Sequence, residues 1–170
     1  MAVRDLLAEL SIQNFGYPLG VNEVRDPAPQ CSDLPSGLQP LYAVCDGVGM
    51  PDVHIGYFID RASRTASARV RGEPTQIQGV ESSKIHVFGS DGGGGRFALE
   101  DTSGAVYYLP STGAVNEGVF IVDDVARPQK VAERLIGFLW LIQEDVEAFI
   151  MGRQGHIYIN QRTCEKPSRV

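Results

Sequence analysis

The sequence predicts a single α+β domain, with a central, mostly antiparallel sheet of about five to six strands. N-terminal helices and one long C-terminal helix pack on that sheet. Three observations lead there. Between Ser82 and Pro110, three short runs rich in β-branched and aromatic residues (Ile85–Phe88, Arg96–Leu99 and Ala105–Leu109) are separated by Gly-, Asp- and Ser-rich clusters. That is the pattern of a three-stranded meander. Near the start, Leu6, Leu7 and Leu10 share one helical face. Near the end, Val131, Leu135, Phe138, Leu139, Ile142, Val146, Phe149 and Ile150 keep the 3.6-residue period over about five turns. Strands between helices of this kind form an α+β layer arrangement, helices largely on one face.

A chain of 170 residues is the size of one domain, and such a domain buries roughly 70% of its unfolded surface, enough for a real core. The formal net charge of −6 argues against a general nucleic-acid binder, which needs clustered Lys and Arg against phosphates. Arg4, Asp5 and Glu9 interrupt what would have to be an apolar signal core. The most apolar stretch, Leu135–Ile142, is too short to cross a bilayer. Cys31, Cys45 and Cys164 are an odd, widely spaced set that suggests neither a zinc site nor a disulfide framework. These features fit a reducing cytoplasm, with no membrane and no nucleic acid as partner.

Taken in order, the first helix covers Arg4–Leu10. From Ser11 to Ser36, closely spaced prolines forbid a continuous helix and predict an irregular connection. Leu38, Leu41, Tyr42 and Cys45 form one face of a second helix, with Ser36 as its N-cap and Gly47 ending it. Ile55–Asp60 reads as a strand, and Ser67–Arg71 and Gln76–Val80 as further short ones. After the meander, Gly118–Val122 is another strand. Pro128 opens the long helix, Gly152 stops it, and His156–Ile159 alternates like an edge strand ahead of a loose tail, Cys164–Val170.

The four glycines Gly92–Gly95 invite a phosphate-loop reading. Such loops need a helix N-terminus behind them, and here a strand pattern follows. They are read as a hairpin turn. His54, His86 and His156 stand apart from one another and from carboxylates at ligand spacing, so no metal, cofactor or catalytic residue is expected. The acidic groups Glu100–Asp101, Asp123–Asp124 and Glu144–Asp145–Glu147 read as turns and a solvated helix face opposite the apolar stripe. A buried carboxylate–histidine constellation would bring an enzyme back into consideration.

Several short motifs then fall into a familiar order. Leu41–Val48 (Leu-Tyr-Ala-Val-Cys-Asp-Gly-Val), Gly56–Ile59, Phe88–Gly94 (Phe-Gly-Ser-Asp-Gly-Gly-Gly), Phe97–Leu99 and Gly104–Tyr107 resemble the SUKH superfamily, the Smi/Knr-type domain. The resemblance covers about residues 34–150. It leaves residues 1–33 as an N-terminal helix and irregular connection, and 153–170 as edge strand and tail. It implies a binding module without catalysis. Bacterial members are largely immunity proteins that neutralise toxins, often nucleases, and fungal members regulate cell-wall synthesis through protein contacts.

The first functional expectation is therefore an immunity-type protein, a monomer or weak homodimer. It would bind a basic toxin domain encoded nearby, steered by charge. Its candidate contacts at strand ends are Asp91, Glu100, Asp101, Asp123 and Asp124. The alternative is a regulatory or sensor module that takes a peptide, glycan or small ligand in a sheet-lined groove near Tyr57 and Tyr107.

Overall fold

A computed structural model describes residues 3–12, 20–27, 33–80 and 84–162. Its centre is the expected meander: β5 (Ile85–Asp91), β6 (Arg96–Glu100) and β7 (Val106–Leu109), joined as antiparallel hairpins. On one side β5 pairs with β3 (Tyr57–Ile59), then β2 (Val48–Met50), then β1 (Glu23–Val24). On the other, β7 pairs with β10 (Gln129–Ala132). The sheet thus has seven strands, in the order β1-β2-β3-β5-β6-β7-β10. The three strands beyond the sequence reading come from segments expected to be irregular connection (β1), the turn after the second helix (β2) and helix (β10).

The helices lie on one face. Leu6, Leu7 and Leu10 of α1 (Val3–Ile12) are buried, and α1 packs on α4 (Leu135–Ile150). Phe138 keys α4 into the sheet: its ring meets Phe88 nearly edge-on at 5.5 Å and Phe97 at 4.9 Å, favourable geometries for aromatic pairs. A separate apolar cluster on the other face contains Ile77, Val87, Ala98, Leu109 and Phe120. A small sheet of β4 (Gln76–Ile77), β9 (Val119–Phe120) and β8 (Val115–Asn116) covers it.

Several local expectations are corrected. Ser36 is not a helix cap; it begins a 3-10 turn, Ser36–Leu38, that runs into the single-turn α2 (Gln39–Tyr42). Ser67–Arg71 is no strand. The chain forms α3 (Ala62–Ala66) and continues in turns, with Thr65 N–H on the Arg61 carbonyl and Gly72 at φ +80°. The long helix begins at Leu135, because Val131 lies in a strand whose Lys130 and Ala132 pair with Tyr107 and Val106. His156–Ile159 is not an edge strand either; the chain there leads into a 3-10 turn, Ile159–Gln161. Cys45 is a buried free thiol; Cys31, Cys164 and the tail lie outside the described residues.

The glycine run is the β5–β6 turn. A Cβ on Gly92 would strike the Ile55 carbonyl, one on Gly95 would strike the Tyr108 ring, and Gly94 sits at φ +86°. Gly93 alone has room, its nearest neighbour being 3.4 Å away. We therefore expect Gly92→Ala and Gly95→Ala each to cost about 1–3 kcal/mol through overpacking. Gly93→Ala should stay within about 0.5 kcal/mol of the parent. Urea unfolding of the three variants checks the order, and equal costs would contradict it.

Candidate functional site

The seven residues expected to contact a partner do not form one surface. Tyr57, Asp91 and Glu100 are buried. Asp91 accepts hydrogen bonds from the Tyr108 hydroxyl (2.8 Å) and the Gly95 N–H (2.7 Å), anchoring the glycine turn. Glu100 accepts from the Ser103 backbone N–H (3.1 Å) and the Ser103 hydroxyl, closing the β6–β7 turn. These carboxylates are spent inside the fold, since buried polar groups are satisfied internally. Asp91 and Glu100 also sit at opposite ends of the β5–β6 hairpin, about 20 Å apart at ~3.4 Å per residue.

Asp101, Asp123 and Asp124 are exposed. Asp101 faces His86 at 3.1 Å, and Asp124 pairs with Arg127 at 2.7 Å. Asp123 accepts from the N–H groups of Val125 and Ala126, which hold its carboxyl below the usual range. Tyr107 packs on the small-sheet side, whereas Tyr57 points into the helix-side core. A single groove lined by Tyr57 and Tyr107 therefore does not form.

The polar site that sequence reasoning missed is Asp145. It was expected on the solvent face of the long helix, yet it is fully buried. Its Oδ2 accepts from the Tyr57 hydroxyl at 2.7 Å and the Ile159 N–H at 2.9 Å, and its Oδ1 lies 2.7 Å from His156 Nε2. Arg162 reaches to 4.0 Å of the same carboxylate. The signal was present in the helix: Asp145 lies three residues after Ile142 and four before Phe149, on the inward row. Burial, then the neighbouring Asp145 charge, pushes the Tyr57 phenol far above its ordinary value. Tyr57 is thus fixed as a donor.

An Asp–His pair is also half of a proton-transfer apparatus. Here the His156 side chain is 16% exposed, and its ring meets Tyr158 edge-on at 4.8 Å. On the far side His54, at φ +55°, stacks on Tyr158 at 3.9 Å. Among the described residues no Ser, Thr or Cys side chain hydrogen-bonds to His156, and no cluster of three or more His, Cys, Asp or Glu could hold a metal. What the arrangement does is tie α4 to β3 and to the segment behind the helix.

The outer side of α4 is different. Ile136 and Trp140, one helical turn apart, are 55% and 65% exposed, with exposed Glu133 and Glu144 near them along the helix. The adjacent row, Glu133, Gly137 and Leu141, joins Lys130, Val131 and Ala132 of β10 in lining an open groove of about 360 Å³. Among the described residues, no strand pairs with the outer edge of β10. Among the described residues, no helix is long and apolar enough to cross a membrane. No family model matches the chain, and neither the curated proteins nor the solved structures yield a match.

Two outcomes follow. Asp145→Ala should cost about 3–5 kcal/mol, as for a broken buried charge pair, and Glu144→Ala within about 0.5 kcal/mol; chemical denaturation reads both, and comparable costs would rule out Asp145 as the tie. Burial also lowers the His54 imidazole despite the pull of Asp145 and Asp91. A histidine depressed in the folded state contributes stability present above its ordinary value, about 6.5, and lost as pH falls through the folded value. The melting temperature should therefore fall more steeply below about pH 6.5 in the parent than in His54→Gln, and parallel profiles would remove His54 from the explanation.

Proposed function

We propose that this chain is a non-catalytic protein-binding module of the toxin-immunity kind, whose partner is a basic protein domain encoded nearby. The observation that carries this reading is the outer face of α4. A largely exposed Trp one turn from an exposed Ile is unusual on a surface whose apolar residues have no internal partner to meet. Trp is also the residue type most enriched among binding hot spots. Acidic side chains near it, in a chain of net charge −6, favour a partner of opposite sign and speed its approach. The SUKH-like order of motifs supports the same class of function.

The contact face in this reading moves from the strand ends to the helix. Tyr57, Asp91 and Glu100 become framework, and Ile136 and Trp140 become the contacts. A second reading rests on the Asp145–His156 pair, which could serve a hydrolase as a base. It is weaker because the Tyr158 ring packs edge-on against the imidazole and, among the described residues, no Ser, Thr or Cys side chain hydrogen-bonds to it.

The test is co-expression with the toxin domain from the adjacent gene. The parent chain should rescue growth, and Trp140→Ala should weaken binding by about 30-fold or more, a loss of about 2 kcal/mol, with an unchanged melting temperature. Absence of rescue and of binding by the parent chain would overturn the proposal.

A further inference from the structure

We infer that the sheet face opposite the helices holds a separate binding site, for a phosphate group, centred on Arg71 and flanked by Arg64 and Arg96. It goes beyond the binding-module reading and does not use the α4 face.

The sequence shows the imbalance first. Residues 61–71 hold four arginines and no carboxylate, in a chain of net charge −6. Asp60 and Glu73 bracket that stretch, which folds as α3 and the turns behind it. The sheet brings a further arginine to it. Tyr57, Ile59 and Phe97 enter the helix-side core, so alternation turns Phe58 and Arg96 to the opposite face. In the register Phe58 is opposite Ser90, and Ser90 is opposite Arg96.

These side chains form one ion network. Arg64 stands 3.0 Å from Asp60, and Arg96 donates to Glu73 at 2.7 Å. Arg71 lies between the two carboxylates, 3.7 Å from Asp60 and 3.9 Å from Glu73. Both distances exceed that of a hydrogen bond. Its Nη2 donates instead to the Arg64 carbonyl, at 3.1 Å. A guanidinium carries five N–H donors, so most of those on Arg71 lack an acceptor among the described residues. Three guanidiniums thus share two carboxylates, and each carboxylate is already held more closely by another arginine. The Arg71 side chain is 27% exposed, which leaves a ligand access while reducing the screening of its charge. Arg61 and Arg69, exposed and without an ion pair among the described residues, add positive charge along the same stretch.

Phosphate is the class that fits this surplus. The fork of Arg71 matches two phosphate oxygens in parallel bonds, and the remaining oxygens can take donors from flanking guanidiniums. A phosphate monoester brings about 1.5 to 2 negative charges at neutral pH, whereas a carboxylate brings one charge and two oxygens. The group is either free phosphate or part of an organic monoester. Phe58, partly exposed on the same face, offers a stacking surface that distinguishes them.

The full chain is titrated with inorganic phosphate and with adenosine monophosphate, at constant ionic strength, and followed by melting temperature and amide NMR. Inorganic phosphate should stabilise the parent saturably, with amide shifts centred on residues 60–73 and 96. Arg71→Gln should weaken binding about tenfold or more. Glu73→Gln, which removes a competing carboxylate, should tighten it. Trp140→Ala should bind phosphate as the parent does. Tighter binding of adenosine monophosphate, with the gain lost in Phe58→Leu, would assign an organic monoester; equal affinities would assign the free ion.

No saturable binding by the parent, affinity unchanged in both Arg71→Gln and Glu73→Gln, shifts centred elsewhere, or the same response to acetate would overturn the site. The toxin co-expression test stands apart from these measurements. Absence of rescue with phosphate binding intact would reject the immunity reading alone, and rescue without phosphate binding would reject this site alone.

Discussion

Everything on the helical side of the sheet depends on how α4 is rotated about its own axis, and the buried Asp145 carboxylate fixes that rotation. A charge in an apolar setting is tolerated only when its lone pairs are filled. Asp145 fills them from two separate parts of the chain: the Tyr57 hydroxyl on β3, and His156 with the Ile159 amide behind the helix. Hydrophobic packing alone is a weak guide here, because α4 is apolar around much of its circumference. Ile136 and Trp140 could serve as core residues in another rotation, while Leu139 and Leu141 already pack at the margin of the core. Holding Asp145 inward puts Phe138, Ile142 and Val146 in the core and leaves Ile136 and Trp140 facing water. One polar contact thus decides which apolar residues are available to another protein.

A second aspartate works the same way at the glycine turn. Asp91 takes the Tyr108 hydroxyl and the Gly95 amide, and Tyr57 is its register partner across β3 and β5. Phe97 lies between the two tyrosines, 6.3 Å from Tyr57 and 5.8 Å from Tyr108. Two tyrosine–aspartate pairs and one phenylalanine therefore tie β3, β7 and α4 together at one end of the sheet. Close packing of Gly92 on the Ile55 carbonyl fits the β2–β3 loop against the same end. This half of the molecule is built as a rigid platform.

The sequence was legible where one local signal dominates. The meander, the glycine turn, the buried face of α1 and the apolar period of α4 each rest on spacing and turn chemistry, and each is found. It was misleading where tertiary pairing overrides local pattern. Val131 continues the helical period of Leu135, but pairing of its neighbours Lys130 and Ala132 with Tyr107 and Val106 draws it into β10. Glu23–Val24 carries no strand signal of its own and is a strand only because β2 offers an edge. Asp145 was misplaced because a carboxylate beside Glu144 and Glu147 reads as solvated, although its spacing to Ile142 and Phe149 put it on the inward row. Asp91 and Glu100 were read as surface charges because turn acids usually are; here they accept the bonds that close those turns.

The functional reading therefore joins a rigid interior to an unfinished exterior. The interior spends its tyrosines and aspartates on holding α4 in one orientation, and the exterior presents the exposed Ile136 and Trp140 side chains. The most direct measurement is a double-mutant cycle between Tyr57→Phe and Asp145→Asn, read by equilibrium unfolding in urea. A coupling of about 1–3 kcal/mol between the two positions is expected if this contact sets the helix in place. Additive effects, with coupling near zero, would contradict the claim that Asp145 determines which face of α4 the protein offers.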